Sequence, residues 1–217
     1  MQEDFLVIGM SPGNSYFKQE IIDQILKKAT DEYQKIGIFI PDIPAISTYV
    51  ALGYPENIAR GKKAIPQGNA LRNKVLRSLE NQSLDKNKIR IFDWQKDNIE
   101  NNPLYRKKYE SVLDLYTSNL DFKEDINKAT EGVLFHNLFK KKDISSEDIR
   151  IATHYILSEF AFMLFLPEYV SVSKCIYTYH KDWSVFEKFI SGLYDGEIKE
   201  KLGFKKFPDF SQKENFK

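Results

Sequence analysis

The sequence predicts an α/β fold in which helices cover both faces of a mainly parallel sheet. Three observations carry this prediction. Short apolar runs alternate with longer amphipathic segments, 42% of the 217 residues are hydrophobic, and no linker or repeat interrupts the chain. A strand that is followed by a helix and another strand usually returns to the same sheet in parallel. We therefore expect a single domain over residues 1–217, with a loosely packed tail from about residue 201 to 217.

The predicted elements follow from the period of the apolar residues. Four short apolar runs are typical of buried strands, and they span residues 5–9, 36–42, 88–94 and 174–180. The segments between and after them repeat apolar residues every three or four positions, as amphipathic helices do, and they span 14–35, 43–60, 68–80, 103–119, 121–141, 145–166 and 183–192. Pro41 stops the second strand. Ser145 and Asp148 form a capping pair at the start of the longest helix.

Charge and cysteine content restrict the class of partner. The chain has 32 Lys and Arg against 31 Asp and Glu, so a nucleic-acid contact has to come from a local basic patch. The single cysteine, Cys175, excludes a disulfide framework and a multi-cysteine metal site, and it fits a reducing compartment. The first apolar run is too short for a signal peptide, and no run approaches the roughly 20 apolar residues of a membrane span. We expect a cytoplasmic protein without membrane contact.

A serine follows the first predicted strand in an unusual turn. Residues 6–17 read LVIGMSPGNSYF, which places Ser11 between the strand and the first helix. The spacing of Gly9 and Gly13 does not fit a phosphate-binding loop, but it formally matches the G-x-S-x-G elbow of a serine nucleophile. A plain Ser-Pro turn, with Asn14 or Ser15 capping the helix, is the alternative.

The last predicted strand ends in a second polar motif, YTYH. Tyr177 and Tyr179 share one face of the strand and His180 lies on the other. Tyr177 is expected to be a core aromatic, whereas His180 is either a core histidine or a functional one. Because ligands of parallel sheets bind beyond the carboxyl ends of the strands, Ser11 and the residues after this strand are expected to meet in one pocket.

Glu159 falls within the apolar stripe of the predicted helix 145–166. Tyr155 lies one turn earlier and points the same way. A carboxylate on a buried stripe is costly unless a cation or a hydrogen-bond donor meets it. Two interpretations are open: a structural ion pair or Tyr-Glu hydrogen bond, and a pocket that receives the α-amino group of an amino acid.

Residues 60–80 carry a cluster of positive charges with few acids before Glu80. Its members are Lys62, Lys63, Arg72, Lys74 and Arg77. Such a patch attracts phosphate backbones, although a solvated helix face is usually the better explanation of a short charge run.

Taken together, these motifs resemble the cyclodipeptide synthases. The resemblance rests on IGMSPGNSYF, HYILSEFAF and YTYH in this order, and it runs from the first strand to about residue 195. Members of this family join two aminoacyl-tRNAs into a cyclic dipeptide. Their fold is similar to the Rossmann-like catalytic domain of class Ic aminoacyl-tRNA synthetases. Asn14, Tyr179 and His180 match the markers of the family's Asn-Tyr-His subgroup.

The resemblance also implies roles for individual residues. Ser11 matches the nucleophile that accepts the first aminoacyl group, and Tyr155 and Glu159 match the pair that holds its α-amino group. Tyr179 matches a tyrosine that assists proton transfer during cyclisation, and Tyr105, in NNPLYRKKYESV, matches a further active-site tyrosine. The basic cluster matches the patch that binds the tRNA of the first substrate.

The amino-acid pocket implied by the resemblance is mostly apolar, which favours Leu, Phe, Met or Tyr. Its residues are Val7, Gly9, Ile38, Ile40, Phe162, Met163 and Tyr177. The hydroxyl group of Tyr177 is the one group there that would suit a polar substrate side chain. Small size differences in apolar pockets discriminate by only about 1–3 kcal/mol, so we expect several products.

The resemblance implies two aminoacyl-tRNAs as substrates, a monomer, and neither DNA, a metal nor another cofactor. An aminoacyl ester is already activated, and the chain lacks the His-Ile-Gly-His and Lys-Met-Ser-Lys-Ser motifs with which synthetases use ATP. Two alternatives compete with this function: a tRNA-binding module without catalysis, and a serine hydrolase built on the Gly9–Gly13 elbow.

Overall fold

The computed structural model describes residues 5–136, 143–181, 183–195 and 198–206. Within them five strands form one sheet, all parallel, in the order β3-β2-β1-β4-β5. The strands are β1 Phe5–Gly9, β2 Ile36–Phe39, β3 Ile89–Phe92, β4 Cys175–Thr178 and β5 Leu202–Phe204. The first four lie inside the predicted apolar runs, which confirms the predicted parallel sheet.

Helices cover both faces of the sheet, as predicted. They are α1 Gln19–Glu32, α2 Ala45–Ala51, α3 Glu56–Ile58, α4 Ile65–Asn81, α5 Pro103–Ser118, α6 Leu120–His136, α7 Ser146–Tyr169, α8 Ser184–Ile190 and α9 Ile198–Lys201. A π-helical segment, Ala59–Ala64, joins α3 to α4. Ser145 and Asp148 form the predicted capping box at the start of α7. The first helix begins five residues later than predicted, because residues 14–18 form hydrogen-bonded turns instead.

The prediction of a loose tail from residue 201 is wrong at its start. Leu202–Phe204 forms β5, which pairs with β4, and Leu202 is buried in the core. Three residues are too few for a recognisable period, so the sequence pattern missed this strand. Residues 207–217 of that prediction, and the end of the predicted helix 121–141 after residue 136, lie outside the described residues.

Side-chain alternation along the strands divides the core in two. Phe5, Val7 and Phe39 point toward α7 and the helices around it, whereas Leu6 and Ile38 point toward α1 and α4. Because both faces are covered, the strands are apolar at almost every position, as buried parallel strands usually are.

Helix α7 is the central helix of the larger core. It packs against α2, α5 and α6. By length and composition alone it is apolar enough to cross a membrane, contrary to the expectation that no segment would be, but 72% of its most apolar window is buried within the protein. A buried core helix passes the same composition test.

The strand order reverses direction between β1 and β4. The chain adds β2 and β3 on one side of β1, and β4 and β5 on the other. Such a reversal leaves a crevice at the carboxyl ends of the two central strands, and ligands of open α/β sheets bind there. The fold therefore brings the turn that contains Ser11 beside Tyr179.

We predict that Gly37→Ala lowers the free energy of unfolding by about 1–3 kcal/mol, since a methyl group on this β2 residue overpacks the core. Its Cβ would lie 2.6 Å from the ring of Phe92 and 2.7 Å from that of Phe5. Urea denaturation measures the effect.

The control is Gly61→Ala, where a Cβ has nothing within 4 Å. It is expected to leave stability unchanged or to raise it by up to about 1 kcal/mol. If both variants had equal stability, the packing described around Gly37 would be wrong.

Candidate active site

The hydroxyl group of Ser11 lies at the centre of a hydrogen-bonded cluster. The Tyr155 hydroxyl, from α7, donates to Ser11 Oγ over 3.2 Å. The Tyr179 hydroxyl, just after β4, lies 3.3 Å from the same oxygen. Asn14 Nδ2 donates to the Tyr179 hydroxyl over 3.1 Å. The predicted meeting of Ser11 and Tyr179 at one edge of the sheet is therefore confirmed by the geometry.

Residues 10–18, which we call the Ser11 loop, are held by local hydrogen bonds. The backbone N–H of Asn14 donates to the Ser11 carbonyl over 3.2 Å, and Asn14 Oδ1 accepts from Tyr16 N over 2.9 Å. Gly13 has a φ of +79°, and a Cβ there would lie 2.6 Å from Gln67 Oε1, so glycine is needed on both counts. Asn14 thus shapes the turn, and it does not cap α1, which begins at Gln19.

Glu159 is buried, as the helical pattern predicted, with a relative exposure of 7%. Burial raises the pKa of its carboxyl group from 4.5 to about 8, and the neighbouring Tyr155 hydroxyl lowers it by a smaller amount. Among the described residues Glu159 has no ion pair, which favours a Tyr-Glu hydrogen bond over the structural salt bridge. The carboxyl group is mostly protonated at pH 7 until a cation approaches it.

The two phenols beside Ser11 keep their protons at neutral pH. Burial raises the pKa of Tyr155 well above its ordinary value, and the nearby Glu159 adds to this shift. Burial also raises the pKa of Tyr179. Both hydroxyl groups are therefore neutral near pH 7, so neither is a ready base for the serine proton.

A cavity of about 740 Å³ opens next to Ser11. Its walls are formed by the Ser11 loop, by residues 177–179, 181, 183, 184 and 186, and by parts of α2, α6 and α7. Gly9, Met163 and Tyr177, three of the predicted pocket residues, line it. Val7 and Phe162 are buried in the core, and Phe162 stacks at 4.0 Å between ring centroids on Phe39, which does line the cavity.

Two predicted pocket residues lie elsewhere. The side chains of Ile38 and Ile40 belong to the core beneath α1 and α4, on the opposite face of the sheet from Val7. Phe39 takes the place assigned to them. A shift of one residue along a strand exchanges its two faces, and in the uniformly apolar run IGIFI the sequence carries no signal of which face is which.

Three further predicted aromatic residues occupy distinct positions. The Tyr177 hydroxyl donates to the Met163 carbonyl over 3.2 Å, so its polar end is already bound. Tyr105 hydrogen bonds with Ser158 and packs against Trp94, outside the residues that line the cavity. The ring of His180 is buried and stacks on Tyr16 at a centroid distance of 3.9 Å.

The basic cluster divides into residues that face solvent and residues that face the protein. Lys62 and Arg77 are exposed, and Lys63 Nζ lies 5.0 Å from the ring centre of Tyr54. Arg72 is mostly buried and pairs with Asp42 at 2.7 Å and with Asp93 at 3.4 Å. Lys74 Nζ donates to the Phe17 carbonyl over 2.7 Å. The structure therefore places Arg72 and Lys74 against polar groups of the protein, and the contact of the cluster with nucleic acid stays a prediction.

Several residues around the cavity were not predicted. Phe39 and Trp183 line it, and Lys128 and Lys181 lie at its exposed edge. Arg60 is exposed, like Lys62 and Arg77 of the basic cluster. Only Arg60 carried a sequence signal, because it adjoins the basic cluster, whereas the others become neighbours of Ser11 through the fold.

Comparison with known proteins identifies the family. The sequence model of the family "Cyclodipeptide synthase" matches residues 1–205. The chain belongs to the cyclodipeptide synthase family. The predicted family is thus confirmed, whereas membership of its Asn-Tyr-His subgroup stays a prediction.

Relatives within the cyclodipeptide synthase family are similar over nearly the whole chain. A cyclo(L-leucyl-L-leucyl) synthase of Staphylococcus haemolyticus is 22% identical and aligns with 92% of this chain and 85% of its own. The solved structure of AlbC, a cyclodipeptide synthase from Streptomyces noursei, has a TM-score of 0.79, 21% identity and coverage of 97% and 98%. A synthase from Candidatus Glomeribacter gigasporarum bound to Phe-tRNAPhe has a TM-score of 0.65, 17% identity and coverage of 97% and 92%. These structures confirm the predicted Rossmann-like fold.

We predict that Glu159 makes the protein less stable as pH rises. Its pKa of about 8 in the folded state lies above the ordinary 4.5. Folding therefore favours the protonated form, and stability falls between about pH 4.5 and 8, by up to roughly 1.4 kcal/mol per pH unit. Glu159→Gln keeps the shape of the side chain but removes its titratable group. Urea denaturation from pH 5 to 8 should show that the free energy of unfolding of the variant, relative to that of the wild type, increases as pH rises. A difference independent of pH would contradict the shifted pKa.

Proposed function

We propose that this cyclodipeptide synthase joins two aminoacyl-tRNAs into a cyclic dipeptide through an aminoacyl ester on Ser11. The observation that carries the proposal is the Ser11 hydroxyl group, which is hydrogen-bonded to Tyr155 and Tyr179 beside the buried Glu159. These four side chains meet at the carboxyl ends of β1 and β4, beside a cavity large enough for amino-acid side chains.

In the first step Ser11 Oγ attacks the ester carbonyl of the first aminoacyl-tRNA. A bond forms between Oγ and the acyl carbon, and the bond between that carbon and the terminal ribose oxygen breaks. The serine proton is transferred to that ribose oxygen, so the tRNA leaves with a free ribose hydroxyl group. Both neighbouring phenols are neutral and therefore weak bases, so the departing ribose oxygen, which becomes an alkoxide as its bond breaks, is the stronger proton acceptor.

In the second step the α-amino group of the bound residue attacks the ester carbonyl of the second aminoacyl-tRNA. A bond forms between the nitrogen and the acyl carbon, the bond from that carbon to the ribose oxygen breaks, and the second tRNA leaves with a proton from the amine. Ser11 then carries a dipeptidyl ester. The amine has to be neutral to attack, and Glu159 is placed to hold it as an ammonium and to take its proton. Glu159 gives up its own proton to solvent when the ammonium binds, and burial, which raises the pKa of this carboxyl group, then favours transfer of the ammonium proton to it.

In the last step the second α-amino group attacks the Ser11 ester. The ring closes, and Ser11 Oγ leaves and regains a proton. The Tyr179 hydroxyl, 3.3 Å from Oγ and hydrogen-bonded to Asn14, is placed to pass that proton. A covalent intermediate of this kind divides the reaction into separate acyl transfers.

The cavity favours apolar amino acids. Phe39, Met163 and Tyr177 line it, and the Tyr177 hydroxyl is bound to a backbone carbonyl. A charged side chain would lose its hydration against these three residues without gaining a partner from them. The Staphylococcus relative, named as a cyclo(L-leucyl-L-leucyl) synthase, is consistent with this preference.

The tRNA is proposed to lie along the exposed cations Arg60, Lys62 and Arg77. Phosphate contacts of this kind give affinity without sequence readout.

We propose a cytoplasmic monomer, since its substrates are cytoplasmic RNAs and one chain supplies all four site residues.

A serine hydrolase is the weaker alternative, because among the described residues Ser11 pairs with two phenols and not with a His-carboxylate pair.

We predict that Ser11→Ala abolishes cyclic dipeptide formation, because no oxygen remains to carry the acyl group. Mass spectrometry of culture medium from bacteria that express each protein measures the products. Ser111→Ala, on the exposed face of α5, is the matched control and should keep full production. Product from Ser11→Ala would refute the mechanism. If soluble wild-type protein made none, the tRNA-binding module without catalysis would become the better proposal.

We also predict that Tyr177→Phe leaves the set of products unchanged and costs about 1 kcal/mol of stability, since only the hydrogen bond to the Met163 carbonyl is lost. Tyr116→Phe, which loses a hydrogen bond to Asn127 outside the cavity, is the control for stability. A changed set of products would show instead that the Tyr177 hydroxyl contacts a polar substrate side chain.

A further inference from the structure

The inner side of α4 supports the Ser11 loop at two points. Gln67, near the start of α4, lies against Gly13 and hydrogen bonds with Tyr49. Lys74 Nζ donates to the Phe17 carbonyl over 2.7 Å, at the far end of the loop. The two residues are two turns apart, which separates the contacts by about 10 Å along the helix. The Ser11 loop thus packs against α4 at Gly13 and is hydrogen-bonded to it at Phe17.

The contact of Lys74 is the stronger of the two in chemical terms. An ammonium that donates to a carbonyl makes a charge-assisted hydrogen bond, which is stronger than a neutral one. Gln19 Nε2, in the first turn of α1, donates back to the Lys74 carbonyl over 3.0 Å. Lys74 therefore binds the chain on either side of the junction between the Ser11 loop and α1.

The residue that Lys74 holds is itself packed against the site. The Phe17 ring meets His180 edge-on at a centroid distance of 5.4 Å and lies 6.4 Å from the ring of Tyr179. The Phe17 backbone N–H donates to the Asn14 carbonyl over 3.3 Å. Through these contacts the position of Phe17 fixes both Asn14 and Tyr179, whose side chains are hydrogen-bonded to each other next to Ser11.

We propose that Lys74 is a positioning residue for Ser11 and not a contact to tRNA. Helix α4 then has two functions on two sides, since its outward Arg77 faces nucleic acid while Lys74 holds the Ser11 loop in place. This inference deepens the proposed function and rests on it for the identity of the reaction, whereas the support of the loop is a property of the fold alone.

The test compares Lys74→Met with Arg77→Ala in the full chain. Lys74→Met should lower kcat for cyclic dipeptide formation by roughly 10- to 100-fold, the scale on which misplaced reacting groups slow catalysis. It should leave the salt dependence of tRNA binding nearly unchanged. Arg77→Ala should raise KM and reduce the slope of log K against log salt by about one. Lys74→Arg, which keeps a charged donor, should restore most of kcat.

Hydrogen exchange separates this inference from the proposed function. In Lys74→Met the amides of Ser11 and of residues 13–18 should exchange faster than in the wild type, and in Arg77→Ala they should not, whether or not the protein makes a cyclic dipeptide. Unchanged exchange in Lys74→Met overturns the inference, as does a salt slope reduced as much as in Arg77→Ala. If Lys74→Met fails to fold, Lys74→Gln serves in its place, with the same expected results.

Discussion

Hydrogen bonds between Ser11 and the hydroxyl groups of Tyr155 and Tyr179 join three parts of the chain that are far apart in sequence. The serine follows β1, one phenol comes from the middle of α7 and the other follows β4. Their meeting depends on the strand order, because only β1 and β4 are neighbours across the point where the sheet reverses. Behind them Glu159 is buried without an ion pair among the described residues. Burial of this carboxyl group costs free energy, and the resulting high pKa suits it to an ammonium and its proton.

Much of this arrangement could be predicted from simple rules. Parallel strands place their carboxyl ends at one edge, so Ser11 and Tyr179 were expected to meet. The helical period placed Glu159 and Tyr155 on one buried face, and the structure agrees. The choice between Ile38 and Phe39 could not be made in the same way. Every residue of that strand except glycine is apolar, so the alternation that identifies the core face is missing.

The members of the basic cluster on helix α4 differ in their position around the helix, which the number of charges alone does not reveal. At 100° per residue, Arg77 lies opposite the buried stripe that contains Leu71 and Val75, whereas Arg72 and Lys74 lie at its two margins. A long cation at the margin of a buried face reaches polar groups of the protein. Arg72 pairs with the carboxylates after β2 and β3, and Lys74 reaches the Ser11 loop. The helical period was enough to raise this possibility, but the partners became known only from the fold.

The central claim is that Ser11 carries the first amino acid. The most direct test is mass spectrometry of the purified protein after brief mixing with one kind of aminoacyl-tRNA, followed by digestion with trypsin. The account predicts a mass increase of one aminoacyl group, confined to the peptide that ends at Lys18 and removed by mild alkali, as an ester is. An acyl group on another peptide, or steady product formation by a protein that never carries one, would contradict the account.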